Sequence, residues 1–200
     1  MSTLFDVTTE APAAPAAAGP RARLYRVAGL DVSLTGTGVA TLGGTTLITS
    51  TGRRKDTLLQ RRTRLRGIAE EILTAVGDVD LAVIEGPSHH SIGGSVWDRG
   101  GLWWLIVDAL TARDIPIAVM PPMSRAKYAT GNGGSRKAAV LEAAQRRYGA
   151  VLDNDNEADA LVLRAAGLDW LGQPLADVPA GHRAALAGCE WPEREAVTLR

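Results

Sequence analysis

The side chains best placed to do chemistry in this sequence are carboxylates that lie in or after apolar runs. Asp31 stands near the end of the run 25–32, whose small and apolar residues predict a strand buried in the middle of a sheet. A carboxylate in such surroundings is costly unless a cation compensates it, and a metal ion is the commonest large compensation. Because the turn-forming segment 35–38 follows, a polar residue at a hairpin edge is the alternative interpretation.

Two later acids occupy comparable positions. Glu85 ends a short apolar run, which predicts a second buried strand with an acid at its carboxyl end, where open α/β sheets favour ligand sites. Asp159 lies on the second turn of a last long helix, beyond the first turn in which acids complement the helix dipole. Asp155 and Asn156 lie one helical turn earlier, so one of them can share its face.

Basic residues are concentrated in two places, although the formal net charge is zero. Between Arg53 and Arg66, seven basic residues accompany one acid, and the alternative to phosphate binding there is an ordinary solvated helix face. A second basic group flanks the glycine-rich segment 131–134, and such turns bind phosphate through free N–H groups where they enter helices. We therefore expect phosphate contacts from Arg61, Arg62, Arg66, Lys127, Arg136 and Lys137.

The elements that must position these side chains follow from turn and cap signals. Residues 38–42 and 45–50 predict two short strands joined by a Gly-Gly turn, so that three antiparallel strands open the sheet. Asp56 is expected to cap a helix that ends at Gly77. A further strand is predicted at 115–119, followed by a helix that Ser135 caps and Gly149 closes.

A helix predicted over 101–112 is apolar nearly all round and contains Trp103 and Trp104. A helix of that kind is buried on more than one side. A buried tryptophan removes about 150–250 Å² from water, so leaving both indoles wet is unfavourable. We expect one face to cover the sheet and the other to meet a second subunit, and a single large monomer core is the alternative.

Length and composition indicate one folded domain in an ordinary soluble protein. The chain has 200 residues, 46% of them hydrophobic and 22% charged. Its single cysteine excludes an internal disulfide framework and a cysteine-based zinc site. No apolar run is long enough to span a bilayer and no signal peptide opens the chain, so we expect no membrane partner and a cytoplasmic location. Residues 1–22 predict a disordered Ala/Pro-rich arm, and 173–200 a tail packing on or extending from the domain.

The order of these features resembles the ribonuclease H-like nucleases, in particular the RuvC-like Holliday junction resolvases. The resemblance covers about 25–170, within a nuclease domain expected over 23–172. Five pieces carry it: Gly29-Leu-Asp31 through Gly38, Val83-Ile-Glu85, Arg99-Gly100, Thr130-Gly131-Asn-Gly133 followed by Lys137 and Val140, and Glu157-Ala-Asp159-Ala-Leu161. It implies an α/β fold with a five-stranded mixed sheet, three antiparallel strands then two parallel, flanked by helices. The divergence and compactness of the chain look like those of a phage-encoded member, which would act in the host cytoplasm.

The resemblance implies that Asp31, Glu85 and Asp159 bind two Mg²⁺ or Mn²⁺ ions. The chemistry agrees, because phosphodiester hydrolysis needs an activated water and a stabilised leaving alkoxide, and two hard cations about 3.5–4 Å apart serve both. Asn156 stands at the fourth family position, where relatives have an acid or histidine. We expect Asp155 to lie near the metals in its place.

Two further departures concern DNA contacts. The family often has an aromatic residue three positions after the strand-four glutamate, and here that residue is Ser88, followed by His89 and His90. We expect the histidines to contact DNA, with a polar loop of no binding role as the alternative. Lys127 stands one residue closer to Gly131 than in the family pattern.

The resemblance as a whole implies a homodimeric, metal-dependent endonuclease that makes paired nicks in branched DNA. Four-way junctions are the expected substrate, and forks or flaps are not separated from them by the sequence. Two other functions remain open. An actin-like or sugar-kinase ATPase fragment shares the sheet order and the opening turn, and a non-catalytic junction-binding module would keep the fold without the chemistry.

Overall fold

A five-stranded mixed sheet organises the chain, which a computed structural model describes over residues 24–87 and 96–197. Its strands are β1 (Val27–Asp31), β2 (Gly36–Thr41), β3 (Gly44–Thr49), β4 (Leu81–Glu85) and β5 (Ile117–Met120). They lie in the order β3-β2-β1-β4-β5, with antiparallel pairing from β3 to β1 and parallel pairing from β1 to β5. The predicted α/β class and the predicted mixture of three antiparallel and two parallel strands are confirmed.

Helices cover both faces of this sheet. They are α1 (Leu58–Val76), α2 (Val96–Thr111), α3 (Pro122–Thr130), α4 (Lys137–Tyr148), α5 (Asp155–Trp170) and α6 (Ala180–Arg183), with two short 3-10 helices at Ala184–Gly188 and Arg194–Ala196. Alternate residues of the central strands enter two separate cores, as a strand buried on both faces requires. Leu30 and Ile84 pack with α1 and α2, whereas Val27 and Val83 pack with α5. In the described part of the chain, no helix is long and apolar enough to cross a membrane.

The helix caps differ from the predicted ones by one residue. Thr57, not Asp56, caps α1: its hydroxyl accepts a hydrogen bond from the Gln60 backbone, and the Gln60 side chain accepts one from the Thr57 backbone. This reciprocal pair satisfies two backbone donors at once, which a lone aspartate one residue earlier cannot do. At α4 the cap position is Arg136, and the hydroxyl of Ser135 is hydrogen-bonded elsewhere.

Helix α3 was not predicted, and the chain holds it firmly. Pro122 occupies its first turn, where the missing N–H costs nothing, and Gly131 ends it with a left-handed φ of 87°. The Tyr128 hydroxyl donates to the buried Asp169 carboxylate at 3.1 Å. Arg183 donates to the same carboxylate through Nε at 3.0 Å, so α3, α5 and α6 are tied together.

The segment that follows α5 returns to the sheet. Trp191 stacks on Trp170 with ring centroids 4.8 Å apart, and Arg194 lies over the Trp170 ring. The Glu190 and Val119 backbones exchange two hydrogen bonds of 2.8 and 2.9 Å. Through this isolated bridge the segment lies against β5, at one edge of the sheet.

Candidate active site

Two neighbouring strands carry the first two carboxylates. Asp31 is the last residue of β1 and Glu85 the last residue of β4. These strands are parallel and pair with Leu30 opposite Ile84, so their carboxyl ends meet at the same edge of the sheet. Asp31 is 7% exposed, and its side chain is hydrogen-bonded to that of Glu85.

Helix α5 brings the third carboxylate, Asp159, to this edge. The helix lies so close to the sheet that a Cβ built on Gly29 would stand 2.1 Å from the Ala160 carbonyl oxygen. A Cβ on Gly38 would stand 2.0 Å from the Asn156 carbonyl oxygen. Only glycine fits at these two positions, and this close approach places Asp159, which is 1% exposed, beside the strand ends.

A buried arginine lies among the three carboxylates. Arg125 of α3 donates from Nε to Glu85 Oε1 at 2.6 Å, and its Nη1 pairs with Asp159. The residue is 7% exposed, so water screens these contacts little. From the sequence, Arg125 is only one member of the basic group before the glycine turn. The signal that could have singled it out is the Pro-Pro start and Gly131 stop, which together define a helix that faces the strand ends.

The site holds more negative charge than one guanidinium balances. Burial raises the pKa of Asp31 to about 8, the charge and hydrogen bond of Glu85 and the charge of Asp159 act in the same direction, and Arg125 opposes them. Burial likewise raises the pKa of Asp159 to about 7, against the opposing charge of Arg125. Burial disfavours the charge of Arg125 itself, but Glu85 and Asp159 outweigh it and raise the Arg125 pKa. The arrangement attracts a further cation.

The residue types fit a divalent metal, and the present arrangement does not yet form its coordination shell. Carboxylate oxygens are the ligands that Mg²⁺ and Mn²⁺ prefer, and the excess negative charge favours a dication. Within residues 24–87 and 96–197, however, no three His, Cys, Asp or Glu side chains stand as a group that could hold a metal ion. Arg125 already engages one carboxylate oxygen of Glu85 and one of Asp159.

The two residues considered for the fourth position lie apart from this cluster. Asp155 pairs with Lys137, and this hydrogen bond lowers the pKa of Asp155. The charges of Asp155 and Lys137 still act on Asp159, which lies one helical turn after Asp155 on α5. The Asn156 amide lies beside Gly36, where a Cβ on that glycine would stand 3.0 Å from Nδ2. Asp155 and Lys137 are therefore at the margin of the carboxylate cluster.

The predicted DNA-contacting residues fall into two groups. Arg62, Arg66, Arg136 and Lys137 are exposed, with Arg66 3.9 Å from Glu70 one turn along α1. Arg61 is different, because its Nε donates to Asp98 Oδ2 at 2.8 Å and ties α1 to α2. Lys127 is partly buried on α3. His89 and His90 lie outside the described residues.

A cleft of about 230 Å³ adjoins the carboxylates on the α2 side. Glu85, Pro87, Arg99 and Trp103 are among the residues that line it. The Trp103 indole N–H donates to the Glu85 carbonyl oxygen at 3.0 Å, so α2 is fixed to the end of β4. Of the three carboxylates, Glu85 is the one among the residues that line this cleft.

Comparison with known proteins gives a likeness in structure and none in sequence. No protein-family model matches the chain, and no curated protein matches it. The structure of Thermus thermophilus RuvC is similar, with a TM-score of 0.58 at 17% identity over 77% of this chain and 99% of that one. T. thermophilus RuvC in complex with a Holliday junction substrate gives 0.56 at 17% identity, over 78% and 99%. The yeast mitochondrial Holliday junction resolvase gives 0.45 at 13% identity, over 84% and 83%. The likeness to the two RuvC structures shows a shared fold.

Proposed function

We propose that this chain is a metal-dependent, structure-selective endonuclease that cleaves Holliday junctions and other branched DNA by paired symmetric nicks, in recombination or in resolving replication intermediates. The observation that carries the proposal is the convergence of Asp31, Glu85 and Asp159 at one edge of the sheet. The fold likeness to RuvC supports it, because that protein has been seen with a Holliday junction substrate.

The carboxylates are the part of the site that would hold the metal. Asp31, Glu85 and Asp159 would bind two Mg²⁺ or Mn²⁺ ions, and Asp155, whose charge acts on Asp159, is the proposed further acid. When bound, such ions polarise a phosphodiester and stabilise its leaving oxygen. The chain itself contributes a fixed donor set, since each carboxylate stands on a strand or helix rather than on a loop.

Phosphate binding is proposed for the basic side chains around this edge. Lys137 begins α4 just after the glycine turn, and its side chain is 62% exposed while it pairs with Asp155. Arg62, Arg66 and Arg136 are exposed and would contact DNA phosphates further from the carboxylate cluster. Arg61 and Lys127 are weaker candidates because one is paired and the other partly buried. Binding through such contacts weakens steeply with added salt.

A homodimer through α2 is the proposed assembly. In the single chain Trp104 is 65% exposed and Trp97 is 84% exposed, so the monomer core covers one face of α2 and leaves these two indoles outside it. Trp103 packs edge-to-face against Trp104 with centroids 5.0 Å apart, and it also bonds to the Glu85 backbone. A two-fold interface here would set two carboxylate clusters symmetrically, which matches two symmetric cuts across a junction.

The proposal is tested with synthetic four-way junctions and linear duplexes of the same sequence, incubated with Mg²⁺ or Mn²⁺. Wild-type protein should nick the junction on two opposite strands and leave the linear duplex intact. Asp31→Asn should lose cleavage while still binding the junction, because the change removes a ligand charge and keeps the shape. Asp177→Asn, an identical change at an exposed position between α5 and α6, is the matched control. Junction cleavage by Asp31→Asn at the wild-type rate would contradict the metal assignment.

A specific observation also favours a second function. Arg125 already neutralises part of the carboxylate cluster, and Asn156 replaces an acid, as in a protein that keeps the fold as a junction-binding module. Tight junction binding without products under Mn²⁺ would select this alternative. Nucleotide-dependent thermal stabilisation without metal-dependent cleavage would instead select the ATPase-like function.

A further inference from the structure

Arg125 is the one buried residue of the site that the proposed nuclease chemistry leaves without a part. Its guanidinium bonds to Glu85 and pairs with Asp159, two of the three proposed metal ligands. Divalent cations and a guanidinium are both bound by carboxylates, and their like charges repel each other within one cluster. The two forms of the site therefore compete.

The backbone around Arg125 is fixed, whereas its side chain is long enough to move. Tyr128, three residues further along α3, donates to Asp169, and its carbonyl accepts from Arg147 at 3.0 Å. Thr130 bonds back to the Ala126 carbonyl at 2.8 Å. Exchange of the guanidinium for a metal therefore requires rotation about side-chain bonds of Arg125 and no movement of the helix.

We propose that Arg125 is a resting counter-ion that holds the carboxylates together in the metal-free protein and is displaced when a divalent cation binds. This inference rests on the metal site of the proposed function. Without a metal, Glu85 and the buried Asp159 would have no positively charged partner, and Arg125 supplies one to both. The same contacts make metal binding weaker, because the metal must first compete with a resident charge.

A role confined to structure would give the opposite result for metal affinity. If Arg125 only positioned the ligands, removing it would loosen the cluster and weaken metal binding. If it competes with the metal, removing it strengthens metal binding and destabilises the metal-free protein. Stronger metal binding together with lower stability of the metal-free protein is expected only if Arg125 is a counter-ion.

The test is a titration of the DNA-free protein with Mn²⁺, in which binding is measured by calorimetry and by the electron paramagnetic resonance signal of free Mn²⁺. We expect Arg125→Gln to bind Mn²⁺ about tenfold more tightly than the wild type, within the usual range for two coupled binding events. It should also melt at a lower temperature in EDTA and show a larger Mn²⁺-induced rise in Tm. Arg125→Lys, which keeps the charge without the planar fork, should fall between the two.

Equal or weaker Mn²⁺ binding by Arg125→Gln would overturn the inference, as would the absence of Mn²⁺ binding in every form. The readout is independent of cleavage. If the wild type does not cut junctions and Arg125→Gln still binds Mn²⁺ more tightly, the proposed function fails and the counter-ion remains. If the wild type cuts junctions and Arg125→Gln does not bind Mn²⁺ more tightly, the proposed function remains and the counter-ion role fails.

A measurement on the unaltered chain covers the case in which the variants do not fold. In ¹⁵N-labelled wild-type protein, the Nε–H resonance of Arg125 should shift when Mg²⁺ is added, because its hydrogen bond to Glu85 is lost. The Nε–H of Arg183, bonded at 3.0 Å to Asp169 outside the cluster, is the internal reference and should not shift. An Arg125 resonance unchanged at saturating Mg²⁺ would refute displacement.

Discussion

Replacing Asp31 with asparagine should stabilise the metal-free protein at alkaline pH. In the folded state burial and the neighbouring carboxylates raise the pKa of Asp31 from 3.8 to about 8. At about 1.4 kcal/mol per pKa unit, that rise amounts to roughly 6 kcal/mol of unfavourable free energy once Asp31 is ionised. The asparagine amide is itself buried and can leave a donor unsatisfied at about 1–3 kcal/mol, so we expect a net gain of about 3–5 kcal/mol.

The pH dependence of this gain has a definite sign. Below about pH 4 the carboxyl of Asp31 is protonated in both the folded and unfolded states, so it contributes no pH dependence. Between there and about pH 8 the folded state retains a proton that the unfolded state has lost, and wild-type stability falls as pH rises. The advantage of Asp31→Asn over the wild type should therefore grow across this window and become constant above it.

Urea unfolding followed by circular dichroism at pH 5, 7 and 9, with EDTA present, measures this difference directly. Comparison of the two proteins at each pH cancels the contributions of acids outside the cluster. Asp177→Asn, at an exposed position between α5 and α6, should stay within about 0.5 kcal/mol of the wild type throughout. Equal stabilities of Asp31→Asn and the wild type at pH 9 would refute the electrostatic reasoning.

Three further changes probe the packing and the assembly. Gly38→Ala should lower the free energy of unfolding by about 3 kcal/mol in urea titrations, because its Cβ has no room beneath α5. The control Gly67→Ala, on an open part of α1, should raise the free energy of unfolding by about 0.5–1 kcal/mol. Unchanged stability of Gly38→Ala would contradict the glycine contact. Arg183→Gln should lower the free energy of unfolding, since Arg183 is half exposed but its partner Asp169 is buried, and Asp169→Asn in the same chain should recover part of that loss in a double-mutant cycle. Trp104→Glu should convert a dimer to a monomer in light scattering after gel filtration, and a monomeric wild type would exclude the dimer.

The sheet and the carboxylate positions were predictable because local patterns determine them. Asp31 and Glu85 each end an apolar strand, and parallel pairing of two such strands brings their ends together. Asp159 lies near the start of a helix that is buried from Ala158 to Asp169, beyond the first turn in which acids complement the helix dipole. For these three residues, short-range sequence and the rules of sheet connection point in the same direction.

Arg125 was not predicted as part of the site because its role depends on tertiary contacts. Nine residues form α3, too few for a clear helical periodicity, and Arg125 looks like any other basic residue near a glycine turn. Its burial depends on β4 and α5 arriving from elsewhere in the chain. In the same way, the choice between Asp56 and Thr57 as a cap depended on the side chain of Gln60, one turn later.

The backbone bridge between Glu190 and Val119 has a consequence for the behaviour of the protein at high concentration. β5 is an edge strand, and an uncovered edge offers free N–H and C=O groups to any other strand in solution. By pairing with Val119, the returning segment occupies part of that edge and so makes strand-to-strand polymerisation through β5 less favourable. Chains cut before Glu190 would therefore be expected to aggregate through β5 even where their cores remain folded.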